Sequence, residues 1–270
     1  MIENISNNKS LSSSAEKGLV SVITPCYNSE KYILKTIESV INQTYQNWEM
    51  IIVDDCSQDK SVQIIKDCLN KDDRIKLIQL NLNKGAGYCR NSAIKEAKGQ
   101  YYAFLDSDDL WFKDKLEKQI NFMKNNNIAF CYSAYNFIDD NGILLNTSPF
   151  FSKSKVCYHD LLKTNHIGCL TVIYDISKIS DKKLYMSEIR SRQDLSLWLD
   201  ILKIIDFGYG LNEVLASYRI RKKSVSSNKI KAIYYQWILY RNIQKFSFSK
   251  SIYFLIFYLY FGAIKYFKQL

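Results

Sequence analysis

The chain has 270 residues, 47% apolar and 24% charged, with only nine glycines and two prolines, which excludes collagen-like, low-complexity and disordered classes and leaves one or two folded domains. Its 37 Lys and Arg outnumber 27 Asp and Glu for a net charge of +10, but eleven of the cations and no acid fall between Val214 and Leu270. The body is therefore close to neutral and the C-terminal end strongly basic.

The first 18 residues, MIENISNNKSLSSSAEKG, form a polar leader with no apolar h-region, so secretion is not expected and a cytoplasmic protein is. Seven cysteines, none closer than twelve positions to the next, fit neither a zinc ribbon nor a closed disulfide framework. With only His159 and His166 present, a metal would rest on oxygen ligands.

From Leu19 the spacing predicts a strand to Thr24, stopped by Pro25, then a helix over Tyr32–Asn42 with Ile33, Ile37, Val40 and Ile41 on one face. The same alternation repeats. A strand over Trp48–Asp54 precedes a helix carrying Val62, Ile65 and Leu69, and a strand over Ile75–Leu80 precedes a helix from about Tyr88 to Ala97, which leads into a strand over Tyr101–Leu105. Strands alternating with helices need crossover connections, so the fold class is α/β, a Rossmann-like, mostly parallel central sheet with flanking helices.

Beyond Leu110 the pattern weakens. A helix around Lys113–Lys124 is followed by Ala129–Ile138 and Ile143–Leu145, joined through Asp140-Asn141-Gly142 as a hairpin. Leu170–Tyr174 and Val214–Ile220 read as strands, and Gln193–Ile205 as a helix. The last segment interleaves aromatic residues with spaced cations, and its longest uncharged run, Ser251–Ile264, is fourteen residues, short of the roughly 18 to 20 that cross hydrocarbon. It reads as a helical basic-aromatic extension making peripheral contact with an anionic membrane, with a helical pair docked on the core as the alternative. No nucleic-acid motif accompanies the charge, and no nucleic-acid partner is expected.

Ligands of an open parallel sheet bind beyond its C-terminal strand ends. Asp54 and Asp55 end the second strand and Asp106, Asp108 and Asp109 the fourth, so both clusters face one crevice. In Asp106-Ser107-Asp108 the alternate carboxylates supply hard oxygen ligands for Mg²⁺ or Mn²⁺. Asn83-Lys84-Gly85-Ala86-Gly87 and Arg90 open a helix, where amides, dipole and guanidinium favour an anion. Asp194 opens QDLSLWLDIL, as a cap or as a general base. Trp198 and Trp111 read as core or pocket wall, and Tyr27 as a surface residue or a base-stacking one.

In this order VSVITPCYNSEKY, IIVDDCSQD, NKGAGYCRN, GQYYAFLDSDDLW and RQDLSLWL resemble glycosyltransferase family 2, the inverting family with the GT-A fold. The resemblance implies a nucleotide-sugar donor, usually a UDP-sugar, a divalent cation (Mn²⁺ or Mg²⁺) and a glycan or lipid-linked glycan acceptor at the inner face of a bacterial cell membrane. Tyr27 would then stack on the base, Asp55 recognise it, Arg90 lie near the diphosphate and Asp106 on the ribose or metal side, with Thr24, Pro25, Lys84 and Ser107 also among the donor-binding residues. Asp108, with Asp106, would hold the metal, and Asp194 would be the catalytic base. Residues 19–228 would form the GT-A domain, its nucleotide-binding half ending near 110 and its acceptor half near 228, with 229–270 as the tail. Two positions depart from the family: Gln193 stands where Glu is common, and no histidine falls near Tyr218, which leaves Arg219 or Arg221 to meet diphosphate charge. A sugar nucleotidyltransferase, or a catalytically silent nucleotide-binding scaffold, fits parts of the same pattern.

Overall fold

In the computed structural model, residues 15–180, 182–221 and 229–267 are described. The strands form one sheet in the order β3-β2-β1-β4-β8-β6-β9-β5. Its parallel half is β1 (Glu16–Cys26), β2 (Trp48–Asp54), β3 (Ile75–Gln79) and β4 (Gly99–Phe104). Alternate residues of these strands enter different cores. Trp48, Met50 and Ile52 of β2 face one cluster, and Ile51 and Val53 the other; Tyr101 and Ala103 of β4 oppose Tyr102 and Phe104 in the same way. Burial on both faces is what makes β2 and β4 predominantly apolar runs in the sequence, whereas the edge strand β3 is buried only at Ile75.

Helices α1 (Ile33–Ile41), α2 (Ser61–Leu69) and α4 (Lys115–Asn125) cover one face through Ile33, Ile37, Ile65, Leu116 and Ile120. The opposite face takes α3 (Ala86–Glu96) through Cys89 and Ala93, α5 (Tyr158–Lys163) through Leu161 and Leu162, and α6 (Gln193–Ile201) through Leu195 and Trp198. Only glycine fits at position 99, because a Cβ there would lie 2.5 Å from the Leu19 carbonyl oxygen.

The second half adds β6 (Phe130–Ile138), β8 (Ile173–Asp175), β9 (Gly208–Arg219) and the two-residue strands β5 (Leu110–Trp111) and β7 (Lys155–Val156). Several expectations change here. The Asp140-Asn141-Gly142 turn forms, with Asp139 N donating to the Ile143 carbonyl at 2.8 Å, and the returning chain meets β6 at two isolated bridges, Ile138 to Leu144 and Tyr135 to Phe150, without a continuous ladder. β6 instead pairs with β8 antiparallel and with β9 in parallel. Leu170 belongs to a 3-10 turn at Cys169–Thr171, so the strand starts at Ile173. The helix from Gln193 ends at Ile201, and the last strand begins at Gly208, six residues before its expected start. The short α5 escaped the periodicity altogether.

The tail is α7 (Lys229–Ile238), a π-helical turn at Leu239–Ile243 and α8 (Phe248–Phe267). Leu239, Tyr240 and Phe254 enter the core beside α5 and α6, so the tail docks on the body. Its outer side leaves Phe248, Ile252, Ile256 and Tyr260 exposed. Among the described residues no helix is long and apolar enough to cross a membrane.

Candidate active site

Parallel register fixes the site. Cys26 pairs with Asp54 and Ile23 with Phe104, so the polar residues that follow β1, β2 and β4 emerge along one edge of the sheet. Asp55 is buried and accepts from the amides of Lys84 (2.7 Å) and Gly85 (2.8 Å), tying the NKGAG loop to the end of β2. Gly85 has φ +88°, a conformation that side chains disfavour, and this lets both amides turn toward one carboxylate. The Lys84 ammonium lies 4.2 Å from the Tyr88 ring centroid, so its backbone holds the loop while its side chain lies along the helix start.

The Asp106–Asp109 loop is held from three sides. Ser107 Oγ lies 2.8 Å from Ser29 Oγ of the loop after β1. Thr36 Oγ1 donates to the carbonyls of Asp109 (2.9 Å) and Ser107 (3.1 Å) from α1. From the end of β9, Arg219 donates its backbone N–H to Asp109 Oδ1 (2.8 Å) and its Nε to the Asp108 carbonyl (2.6 Å). Arg221 Nε lies 2.8 Å from Asp108 Oδ2. Burial, and after it the neighbouring carboxylates, raise the Asp108 and Asp109 carboxyls above their ordinary range, with Arg219 and Arg221 pulling the other way.

Arg90 is the hub. Its buried guanidinium donates to Asp106 Oδ1 and, at 3.2 Å, to Gln193 Oε1 at the start of α6. Burial opposes its charge, but the acidic partners acting together, Asp106 first, then Cys169 and Asp194, outweigh it and hold the group protonated. Asp194 is half-buried in the first turn of α6 and within electrostatic reach of Arg90 and of Cys169, as Asp106 is. Carboxylates from the loop after β4 and from α6, 88 positions apart in the sequence, thus act on one cation, Asp106 by direct contact and Asp194 through its field.

The remaining expected residues fall as follows. Thr24 and Pro25 are buried at the end of β1, the Thr24 hydroxyl without a hydrogen-bond partner, and Tyr27 is half exposed above them. Trp198 lies 5.3 Å from the Phe104 ring and 5.4 Å from the Phe130 ring, and Trp111 donates to the Leu170 carbonyl at 2.8 Å, so both are core residues. Ser29, Thr36 and Cys169 were not anticipated in the site, since their partners lie far away in sequence and no local spacing points to them; Gln193, expected only as a departure from the family's Glu, accepts from Arg90.

The donor set suits a hard cation only in part. Asp106 and Asp108 offer carboxylate oxygens, while among the described residues no group of three or more His, Cys, Asp or Glu is placed to hold a metal. One or two carboxylates completed by substrate phosphates is an ordinary arrangement for Mg²⁺, so the residues fit a cation that arrives with a diphosphate.

A family model described as glycosyl transferase family 2 matches residues 21–175, which contain the Asp55, Arg90 and Asp106–Asp109 parts of this edge. The chain belongs to glycosyltransferase family 2. Among its relatives is TuaG of Bacillus subtilis, a protein named for teichuronic acid biosynthesis, 46% identical over 235 residues, covering 87% of this chain and 92% of TuaG. WfgD of Escherichia coli, named a UDP-Glc:alpha-D-GlcNAc-diphosphoundecaprenol beta-1,3-glucosyltransferase, is 41% identical over 81% of this chain and 84% of its own. The crystal structure of S. aureus TarS residues 1–349 with UDP-GlcNAc superposes with a TM-score of 0.69 at 25% identity, covering 89% of this chain and 71% of that one. The fold is GT-A, and the protein is a glycosyltransferase.

Proposed function

We propose that this glycosyltransferase moves a hexose or N-acetylhexosamine from a UDP-sugar, with inversion, to a hydroxyl of a lipid-linked or growing bacterial surface glycan. The observation that supports the reading is the contact of Arg90 with Asp106 and with Gln193, which puts the neighbouring Asp194 within electrostatic reach of Arg90 at the C-terminal edge of the parallel strands. The names of TuaG and WfgD support the acceptor class, and UDP-GlcNAc bound to TarS supports the donor class.

An alcohol is a weak nucleophile until its proton leaves, and Asp194 is the group that takes it as the acceptor attacks the anomeric carbon. Arg90, already charged and buried, faces the leaving diphosphate and stabilises the negative charge that develops on it. Asp108, with Asp106 beside it, would hold a divalent cation, Mn²⁺ or Mg²⁺, which when bound neutralises diphosphate charge. Asp55 keeps the Lys84–Gly85 loop in place beside the donor, with Thr24, Pro25 and Tyr27 toward the base and Ser107 fixing the metal-side loop. Residues 19–228 constitute the catalytic domain and 229–270 its tail, whose outward residues Phe248, Ile252, Ile256 and Tyr260, in a segment free of acids, rest peripherally on the anionic inner face of the membrane.

The test is a nucleotide-sugar screen reading release of nucleoside diphosphate against lipid-linked and free acceptors. UDP release that requires both a UDP-sugar and a lipid-linked acceptor supports the reading; pyrophosphate release, or no turnover with any pair, counts against it.

A further inference from the structure

Arg192 immediately precedes the helix that carries Asp194, and it is held from outside the catalytic body. It caps α6 in a left-handed conformation, φ +68° and ψ 19°, and its carbonyl accepts from Ser196 N at 3.0 Å. A residue with a side chain adopts this conformation at a cost, and keeps it where surrounding contacts impose it. The contacts come from the tail. Arg192 Nη2 donates to the hydroxyl of Tyr258 on α8, and its guanidinium carbon lies 5.3 Å from the Tyr258 ring centroid. Tyr240, fully buried in the π-helical turn, is within electrostatic reach of both residues, and its hydroxyl is anchored on the Leu162 carbonyl of α5. Gln244 of the same tail accepts from the Tyr158 hydroxyl at 2.7 Å, and Phe254 of α8 is buried in the core that α6 enters. The tail end of this contact is therefore rigidly seated.

The first turn of α6 is held on its other sides by the Arg90–Gln193 hydrogen bond and by Ser196 Oγ, which accepts from Ser187 N at 2.9 Å and donates to the Gln193 carbonyl at 2.6 Å. Arg90 and Gln193 fix the turn toward the donor side. Ser187 holds it through Ser196, and the tail adds a contact at the Arg192 end, which neither of the other two reaches.

We propose that Arg192 and Tyr258 are positioning residues through which the tail helix α8 orients Asp194. The basic-aromatic extension is then part of the catalytic apparatus as well as a surface element. The proposal rests on the reading of Asp194 as the base, and the experiment separates the two.

Native protein and the full-length variants Tyr258→Phe, Arg192→Gly, Arg192→Lys, the double variant Arg192→Gly/Tyr258→Phe and Asp194→Asn are compared in two ways. Hydrogen exchange of the α6 first-turn amides is followed in each, and kcat and donor KM are measured for UDP release. Tyr258→Phe keeps the ring and loses the hydroxyl; Arg192→Gly frees the left-handed backbone and loses the guanidinium. Both are expected to speed exchange at Leu195–Leu197 and to lower kcat roughly tenfold, the scale of a sub-ångström displacement, with donor KM within about twofold of native. Arg192→Lys, which still donates to the Tyr258 oxygen, recovers part of kcat, and the double variant is no worse than either single one. Unchanged exchange and a kcat within about twofold of native in Tyr258→Phe and Arg192→Gly would overturn the proposal, whatever Asp194→Asn does. A loss of kcat that tracks the unfolded fraction and vanishes on cooling would overturn it too. A fully active Asp194→Asn removes the base reading instead, and is recognised by that variant alone.

Discussion

The Arg90–Asp106 pair makes an asymmetric prediction. Arg90 is buried, its side chain 9% exposed, while that of Asp106 is 33% exposed. Asp106→Ala removes the direct ion-pair partner of a guanidinium that cannot shed its proton and leaves Gln193 Oε1 as its hydrogen-bond acceptor among the described residues, and breaking a buried pair in this way costs about 3–5 kcal/mol. Arg90→Met leaves a carboxylate that water already reaches and replaces the buried stem with an apolar chain of similar length, so its cost is about 1 kcal/mol. At about 2–4 °C per kcal/mol for a chain of this size, Asp106→Ala should lower Tm by roughly 10 °C and Arg90→Met by less than about 4 °C. Urea unfolding, with m-values compared to confirm a common unfolded state, provides the free energies. Arg90→Met costing as much as Asp106→Ala, or more, would refute the reasoning, because it would make the guanidinium the exposed partner in energetic terms.

Three further outcomes follow from neighbouring groups. Lys115 is fully buried beside Gln119 and 4.5 Å from the Trp111 ring centroid, and burial lowers its pKa from 10.5 to about 7. The unfolded chain then binds a proton that the folded one does not between pH 7 and 10.5, so this contribution to stability is lost as pH falls from 10.5 to 7; Lys115→Met should flatten the rise in Tm between pH 7 and pH 9, and an identical slope in both proteins would contradict the assignment. Asp55→Asn sets an amide NH₂ against one of the two backbone N–H groups that Asp55 now accepts, so it should loosen the Lys84–Gly85 loop and weaken UDP binding about tenfold by calorimetry, whereas native affinity would show that the loop is held elsewhere. Asp108→Ala should abolish the difference between UDP binding measured with and without Mn²⁺; a difference that persists would exclude Asp108 as a ligand.

The parallel half of the fold was legible because its inner strands β1, β2 and β4 are largely buried on both faces, and its acidic clusters were legible because they begin where those apolar runs stop. The second half was not. β5 and β7 are two residues long and β8 three, too short for any period, and β6 forms its ladders with β8 and β9, meeting the chain beyond the Asn-Gly turn at isolated bridges. The tail displays a different limit: α8 is apolar almost all round, so its composition announces an apolar environment without saying which side is protein, and only packing distinguishes Ser251 and Phe254, facing inward, from Ile252 and Ile256, facing out. In the site, the acidic residues could be read as ends of strands and helices. The contacts that organise them could not, since Arg90–Gln193 and Arg192–Tyr258 join residues 103 and 66 positions apart.

The most direct measurement compares native protein with Asp194→Asn, using calorimetric UDP-sugar binding and UDP release in the presence of acceptor. The substitution preserves shape and removes the proton acceptor, so donor affinity should stay within about twofold while transfer falls by about two to four orders of magnitude. Transfer at the native rate, with binding intact, would contradict the assignment of Asp194 as the base and with it the account of this edge of the sheet as the place where the sugar is moved.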